Sequence, residues 1–213
     1  MSAVMEKYLD ELTARYPVLA ESCSAIGEFV EMLISLYRAG GTFFVAGNGG
    51  SGADAEHICG ELLKGFCRKR PLNAGDLEKL KSCGDEENFG SQLQNGLRAV
   101  SLLSHPALTT AFGNDVDPDL AFAQQIWALG KSGDVMLGIS TGGNASNIRK
   151  AFITARAKGI KTVLLTGNRH GICENYADLV IAVPEKETFK IQELHLPIYH
   201  TVCLAVEAAF FNE

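Results

Sequence analysis

Five short runs of apolar residues recur along the chain, and longer stretches of mixed polarity separate them. Each run is nearly continuous, without the alternation of polar and apolar residues that marks a half-exposed strand. Such runs are typical of parallel strands that helices cover on both faces. The predicted strands occupy residues 42–46, 98–103, 134–139, 161–166 and 178–183. The pattern predicts an α/β fold, in which a doubly wound and mostly parallel five-stranded sheet is the middle layer of an αβα sandwich.

The amphipathic stretches between these runs predict helices. An N-terminal helical pair fills residues 1–40, with one helix from Ala3 to Ala20 and a second from Cys23 to Ala39 that ends at two glycines. Pro197 removes a backbone hydrogen bond from the last helix and predicts a kink there. We interpret residues 1–213 as a single domain. The remaining predicted helices fall at about 52–66, 119–130, 144–158 and 169–176, followed by a C-terminal helix from about Thr188 to Phe211.

Residues 67–96 do not fit this alternation. The segment is polar, mixed in charge and poor in large aliphatic side chains. We interpret it as an insertion that packs on the surface, in the role of a lid or a subunit contact. The alternative is a plain mobile loop.

Composition and charge narrow the class of protein. A net charge of −6 argues against a nucleic-acid partner, which usually requires a basic stripe, but local N–H donors bind a small anion whatever the total charge. No apolar run approaches the roughly 20 residues needed to cross a bilayer, and the acidic, amphipathic N-terminal stretch is unlike a signal peptide. We therefore expect a cytoplasmic protein without a membrane partner. The six cysteines, at positions 23, 59, 67, 83, 173 and 203, lack CxxC spacing and favour a reduced compartment.

Two glycine-rich loops follow predicted strands. The first loop runs from Gly47 to Ser51 (GNGGS) and the second loop from Ser140 to Ser146 (STGGNAS). Open α/β sheets bind ligands at the carboxyl ends of their strands, where glycine admits an anion and the next helix offers unpaired N–H groups. Hydroxyl groups of Ser51, Ser140 and Thr141 add donors for phosphate. The alternative is that the glycines only permit a turn and a Ser or Asn side chain caps the helix. Neither loop matches a nucleotide-binding motif, so we expect no nucleotide cofactor.

Polar residues on two helices provide candidate chemistry. His57 and Glu61 lie at positions i and i+4, so they share a helix face. This spacing suits a metal pair or an acid/base pair, and it is equally common in exposed pairs without a function. Gln192 and His200 on the last helix are separated by two turns plus about 80°, so both can border one cleft. A single histidine on such a helix is also typical of a core or interface position.

Four motifs resemble the sugar isomerase (SIS) domain family and, within it, the phosphoheptose isomerases. They are GNGGSGADAEH at 47–57, GND at 113–115, GISTGGNASNI at 138–148 and IQELH at 191–195, the last followed by His200. The resemblance covers nearly the whole chain in the same order, with only residues 67–96 unaccounted for. It implies the SIS fold and a homotetramer with sites between subunits.

The resemblance also implies roles for individual residues. The glutamate matching Glu61 and the histidine matching His200 transfer protons. Some members bind zinc through residues matching His57, Glu61, Gln192 and His200. The expected substrate-binding residues are Asn48, Gly49, Gly50, Ser51, Asn114, Asp115, Ser140, Thr141, Gly142 and Gln192.

The second loop departs from the family pattern S-T-S-G-N-S, because Gly142 and Ala145 replace two hydroxyl residues. Binding of a phosphate then depends more on backbone N–H groups and on the hydroxyl groups of Ser140, Thr141 and Ser146. This change bears on the affinity for the substrate and on its identity, while the anion site itself remains.

The resulting hypothesis is an aldose–ketose isomerase that acts on a phosphorylated sugar through a cis-enediol. Glu61 is the expected general base and His200 the group that moves protons on the neighbouring oxygens. The expected conversion is sedoheptulose 7-phosphate to D-glycero-D-manno-heptose 7-phosphate. The alternative is a non-catalytic SIS protein, either a phosphosugar-binding regulator or a scaffold that resembles the replication-initiator-associating proteins. The resemblance implies that the scaffold type tends to lack the histidine matching His200.

Overall fold

The computed structural model describes residues 3–168 and 170–211. The strands are β1 (Phe43–Gly47), β2 (Ala99–Ser101), β3 (Val135–Ile139), β4 (Lys161–Gly167) and β5 (Leu179–Val183). The helices are α1 (Ala3–Arg15), α2 (Cys23–Arg38), α3 (Gly50–Leu63), α4 (Ala74–Ser82), α5 (Pro106–Asp115), α6 (Ala121–Leu129), α7 (Ser146–Ala157) and α8 (Thr188–Phe210). All five predicted strands are present, each within two residues of its expected bounds.

The strands form one sheet in the order β2-β1-β3-β4-β5, and every neighbouring pair is parallel. The predicted fold class is therefore confirmed, with a sheet that is parallel throughout. The strand order reverses between β1 and β3, the place where open α/β sheets form their ligand crevice. The register pairs Gly47 with Ile139, so the chain leaves β1 and β3 at the same edge of the sheet.

Helices cover both faces of the sheet. Successive strand residues point to opposite faces, so Phe43 and Val45 of β1 pack into a core with α1, α2, α3 and α8. Phe44 and Ala46 pack into the opposite core with α6 and α7. Every residue of β1 and β3 is buried, which explains why the sequence of each strand is almost continuously apolar.

The first predicted helix was too long. Helix α1 ends at Arg15, and residues Pro17–Ser22 form a 3₁₀ helix instead of continuing to Ala20. The cause is Pro17, since the residue before a proline is pushed out of the helical conformation. Tyr16 accordingly has φ −132° and ψ 72°.

The predicted helix at 169–176 was also wrong. Arg169 lies outside the described residues, and the remainder contains only a 3₁₀ helix at Ile172–Tyr176. His170 has a left-handed backbone with φ 49°, a conformation that cannot continue a helix.

Two helices have no counterpart in the sequence prediction, α4 and α5. Helix α5 begins at Pro106, a residue that suits the first helical position, but none of its residues is buried, so it has no apolar stripe. Helix α4 buries no residue at all. Both helices were missed because the prediction relied on apolar periodicity.

Residues 67–96 form a packed surface segment that contains α4 and a 3₁₀ helix at Phe89–Gln92. Its two ends are joined by a bridge between Pro71 and Gln94. Arg70 anchors it, because this side chain is only 1% exposed. Surface packing was expected, whereas the status of the segment as an insertion remains a prediction. Among the described helices, none is both long enough and apolar enough to span a bilayer.

Candidate active site

The first loop makes a sharp turn directly into α3. A side chain at Gly47 would place its Cβ 2.3 Å from the carbonyl oxygen of Ser51, so only glycine fits there. Gly49 has φ 56° and precedes α3 without contributing a side-chain cap. Its carbonyl accepts from the amides of Gly52 and Ala53 at 3.0 and 3.1 Å. The first N–H groups of α3 are thus presented at the edge of the sheet, where the helix dipole favours an anion.

The second loop is held in a compact form between β3 and α7. The amide of Gly143 donates to the carbonyl of Ser140 at 3.0 Å, and the side chain of Asn144 donates to the carbonyl of Gly142 at 2.8 Å. Gly143 has φ 65°. Ser140 is buried, and Ala145 precedes α7 without a side-chain cap. A Cβ at Gly142 would have nothing within 4 Å, so this position faces open space.

The two loops are tied together by a reciprocal amide pair. The Nδ2 of Asn48 donates to Oδ1 of Asn147 at 3.0 Å, and Nδ2 of Asn147 donates to Oδ1 of Asn48 at 2.8 Å. Beside this pair lies a cavity of about 330 Å³, bounded by the first loop, α5 and α6. Its polar wall includes Thr109 and Thr110 of α5. The lining also includes apolar side chains such as Phe122, so the cavity offers a small ligand both polar and apolar contacts.

His57 and Glu61 lie on the exposed side of α3 and contact each other. The Nε2 of His57 is 3.2 Å from Oε1 of Glu61, and the Nζ of Lys64 is 3.1 Å from Oε2. The side chain of Glu61 is 13% exposed, so the carboxylate sits in a partly closed position with access to a ligand. The predicted sharing of one helix face is confirmed.

Helix α8 brings two further predicted residues to the same place. The ring of His200 lies 5.1 Å from the ring of His57, centroid to centroid, in an edge-to-face arrangement. The side chain of Gln192 lies against the first loop, since a Cβ at Gly50 would be 2.6 Å from its Nε2. His57, Glu61 and His200 therefore form one cluster along α3, while Gln192 lies at the start of the same helix beside the first loop.

Burial sets the charge of the two histidines on α8. It lowers the pKa of His200, and the neighbouring His57 lowers it further, so the neutral imidazole is favoured. Burial lowers the pKa of His195 to about 4, and the Nε2 of this residue lies 3.3 Å from the carbonyl of Thr166. His195 is thus a neutral core residue.

Asn114 and Asp115 lie apart from this cluster. They end α5, are exposed, and bond to each other through Nδ2 and Oδ1 at 2.7 Å. Within the part of the chain that the structure describes, no hydrogen bond joins either of them to the loops or to α8. Their assignment to the substrate site remains a prediction.

His200 also borders a second cavity, of about 280 Å³, between α1 and α8. Tyr8 and Arg15 of α1 line its other side. This cavity is separate from the one beside the loops. Among the residues that the structure describes, His200 and the first loop therefore border different cavities.

Several residues of the site were missed by the sequence prediction. Tyr199 is 3% exposed, and its hydroxyl lies between Asp54 Oδ1, at 3.2 Å, and His57 Nδ1, at 3.0 Å. Burial raises the pKa of Asp54, and the bond from Tyr199 opposes that rise. Asn147 was overlooked as well, although it belongs to the quoted motif of the second loop. One sequence feature pointed to Asp54: it lies three positions before His57, and residues i and i+3 share a helix face. No feature of the sequence pointed to Tyr199.

The donor types of His57, Glu61, Gln192 and His200 suit zinc, although glutamine is an uncommon ligand. The Nε2 of His57 and Oε1 of Glu61 converge, and the buried Nε2 of His200 has no hydrogen-bond partner among the described residues. In the conformation observed, however, the described residues contain no group of three or more His, Cys, Asp or Glu side chains arranged to hold a metal ion.

Comparisons with known proteins agree with the resemblance in the motifs. The family model of the SIS domain matches residues 104–210. The phosphoheptose isomerase of Burkholderia pseudomallei is 38% identical over 190 residues, which cover 89% of this chain and 84% of the relative. The phosphoheptose isomerase of Synechocystis sp. is 32% identical over 213 residues, which cover 100% of this chain and 96% of the relative.

A solved structure supports the same relationship. The structure of a phosphoheptose isomerase from Francisella tularensis superposes with a TM-score of 0.73 and 27% sequence identity. The superposition covers 94% of this chain and 98% of that chain.

Proposed function

This chain belongs to the phosphoheptose isomerase family of SIS-domain proteins, and on that premise we propose that it converts sedoheptulose 7-phosphate into D-glycero-D-manno-heptose 7-phosphate. The observation that carries the proposal is the cluster on α3 and α8, in which Glu61 contacts His57 and His57 contacts His200, on a helix that begins in the glycine loop after β1. The reaction moves hydrogen within one molecule, so it needs no nucleotide cofactor.

We propose that Glu61 is the base that takes the carbon-bound proton next to the carbonyl of the sugar. Its carboxylate is partly shielded, and its side-chain partners among the described residues are His57 and Lys64, so an oxygen can be freed toward the substrate. The proton is returned to the adjacent carbon of the cis-enediol. The aldose and the ketose are thereby interconverted without a net gain or loss of protons.

His200 is the proposed partner that moves protons on the two oxygens of the enediol. Its burial lowers the pKa, and a neutral imidazole can accept a proton from a hydroxyl and donate it to the neighbouring oxygen. Gln192, which lies against Gly50, is positioned to orient hydroxyl groups of the sugar.

The two glycine loops are the proposed site for the phosphate and the polar end of the sugar. The start of α3 and the start of α7 each lack a side-chain cap, and the Asn48–Asn147 pair holds them together. Backbone N–H groups, with Ser51, Ser140 and Thr141, would then bind the anion. Gly142 supplies no hydroxyl where the family pattern has one.

A zinc ion is the proposed metal, with His57, Glu61, Gln192 and His200 as its ligands. When bound, it would polarise the carbonyl oxygen of the sugar as a Lewis acid. The test is a thermal shift of the purified protein with zinc and with a chelator. A midpoint that moves with zinc in wild type and not in His57→Gln supports the site, and an equal response of both proteins contradicts it.

We propose a homotetramer whose active sites are completed between subunits. The support is that one chain alone separates the cavity at the loops from the cavity beside His200. Light scattering after size exclusion should give four times the 22.9 kDa chain mass. A monomeric mass for an active preparation would contradict this arrangement.

A reducing cytoplasm is the proposed location, since all six cysteines are free thiols. Recovery of the native protein with oxidised cysteines would contradict this proposal.

The activity is tested by incubating purified protein with sedoheptulose 7-phosphate and following the aldose by NMR. Wild type should turn over, and Glu61→Gln should lose on the order of a thousandfold in kcat. Glu56→Gln is the matched control, because Glu56 is an exposed carboxylate on the same helix. Binding of the sugar phosphate without any turnover would instead favour the non-catalytic alternative, a regulator or scaffold, which the family relationship does not favour.

A further inference from the structure

Tyr199 links a carboxylate to an imidazole through a single hydroxyl group. Its OH donates to Oδ1 of Asp54 at 3.2 Å, and the same oxygen lies 3.0 Å from Nδ1 of His57. The Nε2 of His57 then lies 3.2 Å from Oε1 of Glu61. The four side chains Asp54, Tyr199, His57 and Glu61 therefore form one continuous line of polar contacts across α3 and α8.

The direction of this chain follows from counting protons. A phenol has one hydrogen and an ionised carboxylate can only accept, so the contact between Tyr199 and Asp54 is a hydrogen bond only when that hydrogen points to Asp54. The oxygen of Tyr199 is then left as an acceptor toward His57. A neutral His57 must consequently carry its proton on Nδ1, and the lone pair of Nε2 must face Glu61.

We propose that Tyr199 and Asp54 are positioning residues that fix His57 in the Nδ1–H tautomer and keep its Nε2 lone pair directed at Glu61. This inference rests on the proposed function of Glu61. A lone pair facing a carboxylate oxygen is unfavourable unless the two atoms share a cation or a proton. The arrangement thus leaves Nε2 of His57 and Oε1 of Glu61 as two acceptors that can share one cation or one proton.

The aromatic ring of Tyr199 has a second effect. It meets the ring of His57 edge-on at 5.4 Å and the ring of His200 edge-on at 5.0 Å, centroid to centroid. Because Tyr199 is buried, it cannot rotate away without opening the core on that side of the sheet. A phenylalanine at this position would preserve the packing and remove only the hydroxyl, which separates the two effects.

The test uses imidazole ¹⁵N–¹H correlation spectra of chelator-treated protein at a pH where the histidines are neutral, with His57→Gln to assign the resonance. Wild type should show the Nδ1–H tautomer of His57. Tyr199→Phe should lose that preference. Asp54→Ala should reverse it, because the freed hydroxyl proton can then be donated to Nδ1. Tyr37→Phe is the matched control, since the buried hydroxyl of Tyr37 has no hydrogen-bond partner among the described residues.

Kinetics provide a second readout. We expect Tyr199→Phe to lower kcat about tenfold with KM within twofold of wild type, as removal of an outer partner of a functional histidine does. The Nε2–H tautomer in wild type, or an unchanged tautomer in both folded variants, would overturn the inference. The spectra require no turnover, so failure of the proposed isomerase activity would be seen separately.

Discussion

Two glutamates close to the end of α3, Glu207 and Glu61, differ in the partners of their carboxylates, and the difference determines whether the carboxylate can react. Glu207 of α8 is fully buried, and its oxygens accept from the amides of Phe66, Cys67 and Arg68 and from the Nε and Nη2 of Arg70, at 2.8 to 3.2 Å. In the described part of the chain, Glu61 is paired with the side chains of His57 and Lys64, which are 43% and 57% exposed. Fixed donors hold a charge permanently, whereas movable partners leave a carboxylate able to react.

The pKa of Glu207 reflects this difference. Burial alone would raise the pKa of this carboxyl, but the amides of Cys67 and Phe66 and the guanidinium of Arg70 outweigh it and hold the pKa below its ordinary value. Glu207 therefore stays charged and unreactive. It serves as the anchor that keeps the 66–70 segment on α8.

The anchor and the reactive group are mechanically connected. Arg70 also donates through Nη1 to the carbonyl of Leu62 at 2.7 Å and through Nη2 to the carbonyl of Glu61 at 3.3 Å. These carbonyls belong to the last turn of α3. The carbonyls of a last turn find no amide donor within their own helix. The buried ion pair thus fixes the backbone from which the side chain of Glu61 projects.

The largest expected effect comes from breaking the anchor. Glu207→Leu should cost about 3–5 kcal/mol in the free energy of unfolding, because it leaves the buried guanidinium of Arg70 without a counter-ion. Glu61→Gln should change the same quantity by less than about 0.5 kcal/mol, as expected for a group with mobile partners. Chemical denaturation measures both. Equal costs would erase the distinction between the two glutamates.

The double variant Arg70→Met with Glu207→Leu sharpens this result. It should cost less than the sum of the two single variants, because neither charge is then left alone. It should still be less stable than wild type, since three backbone amides lose their acceptor and the carbonyl of Glu61 loses the donor Arg70, while the carbonyl of Leu62 keeps the amide of Leu97.

A smaller effect, on rate and not on folding, is expected at His200. His200→Gln should lower kcat about a hundredfold, the contribution typical of a general acid or base, and leave the denaturation midpoint nearly unchanged. The measurement is turnover of sedoheptulose 7-phosphate beside a melting curve. A loss of stability similar to that of Glu207→Leu would mean that His200 stabilises the fold, as Glu207 does, and would contradict its proposed role in proton transfer.

The pH dependence of stability should separate the same groups. The folded-state pKa of Glu207 is lowered, so its stabilising contribution is fully present above its ordinary value of 4.5 and is lost as the pH falls through the folded-state pKa. Unfolding free energies of wild type and Glu207→Gln should therefore converge as the pH is lowered below 4.5. Curves that remain parallel through this range would show that the charge of Glu207 contributes nothing.

The smallest effect is expected for Lys64, the exposed partner of Glu61. Lys64→Met should change the free energy of unfolding by less than about 0.5 kcal/mol and kcat by less than about threefold. The comparison is with Arg70→Met, which removes a cation of equal charge from the buried anchor. A large loss for Lys64→Met would mean that the partners of Glu61 are as fixed as those of Glu207.

The sequence predicted the sheet well because burial on both faces leaves a strong local signal. Each strand is an apolar run, and each ligand loop is a glycine cluster directly after one. The pairing of His57 with Glu61 followed from helical spacing alone. The position of His200 near them followed from the family resemblance, since nothing local reveals which helices pack together.

The residues that were missed act over long separations. Arg70 stands in the basic stretch CRKRP, which is typical of a solvated surface, and its partner lies 137 positions later. Tyr199 resembles any buried aromatic residue until Asp54 and His57 are placed around its hydroxyl. Composition and periodicity contain no information on such pairings, because only the tertiary fold brings the partners together.

The long separation between Arg70 and Glu207 also matters while the chain is being synthesised. The guanidinium of Arg70 leaves the ribosome well before its carboxylate does, and it must remain hydrated until α8 emerges. The segment that bears Glu61 is therefore made early but held in place only near the end of translation. A stalled or truncated nascent chain that lacks α8 would expose the apolar underside of the sheet, and it would be a substrate for chaperones and proteases.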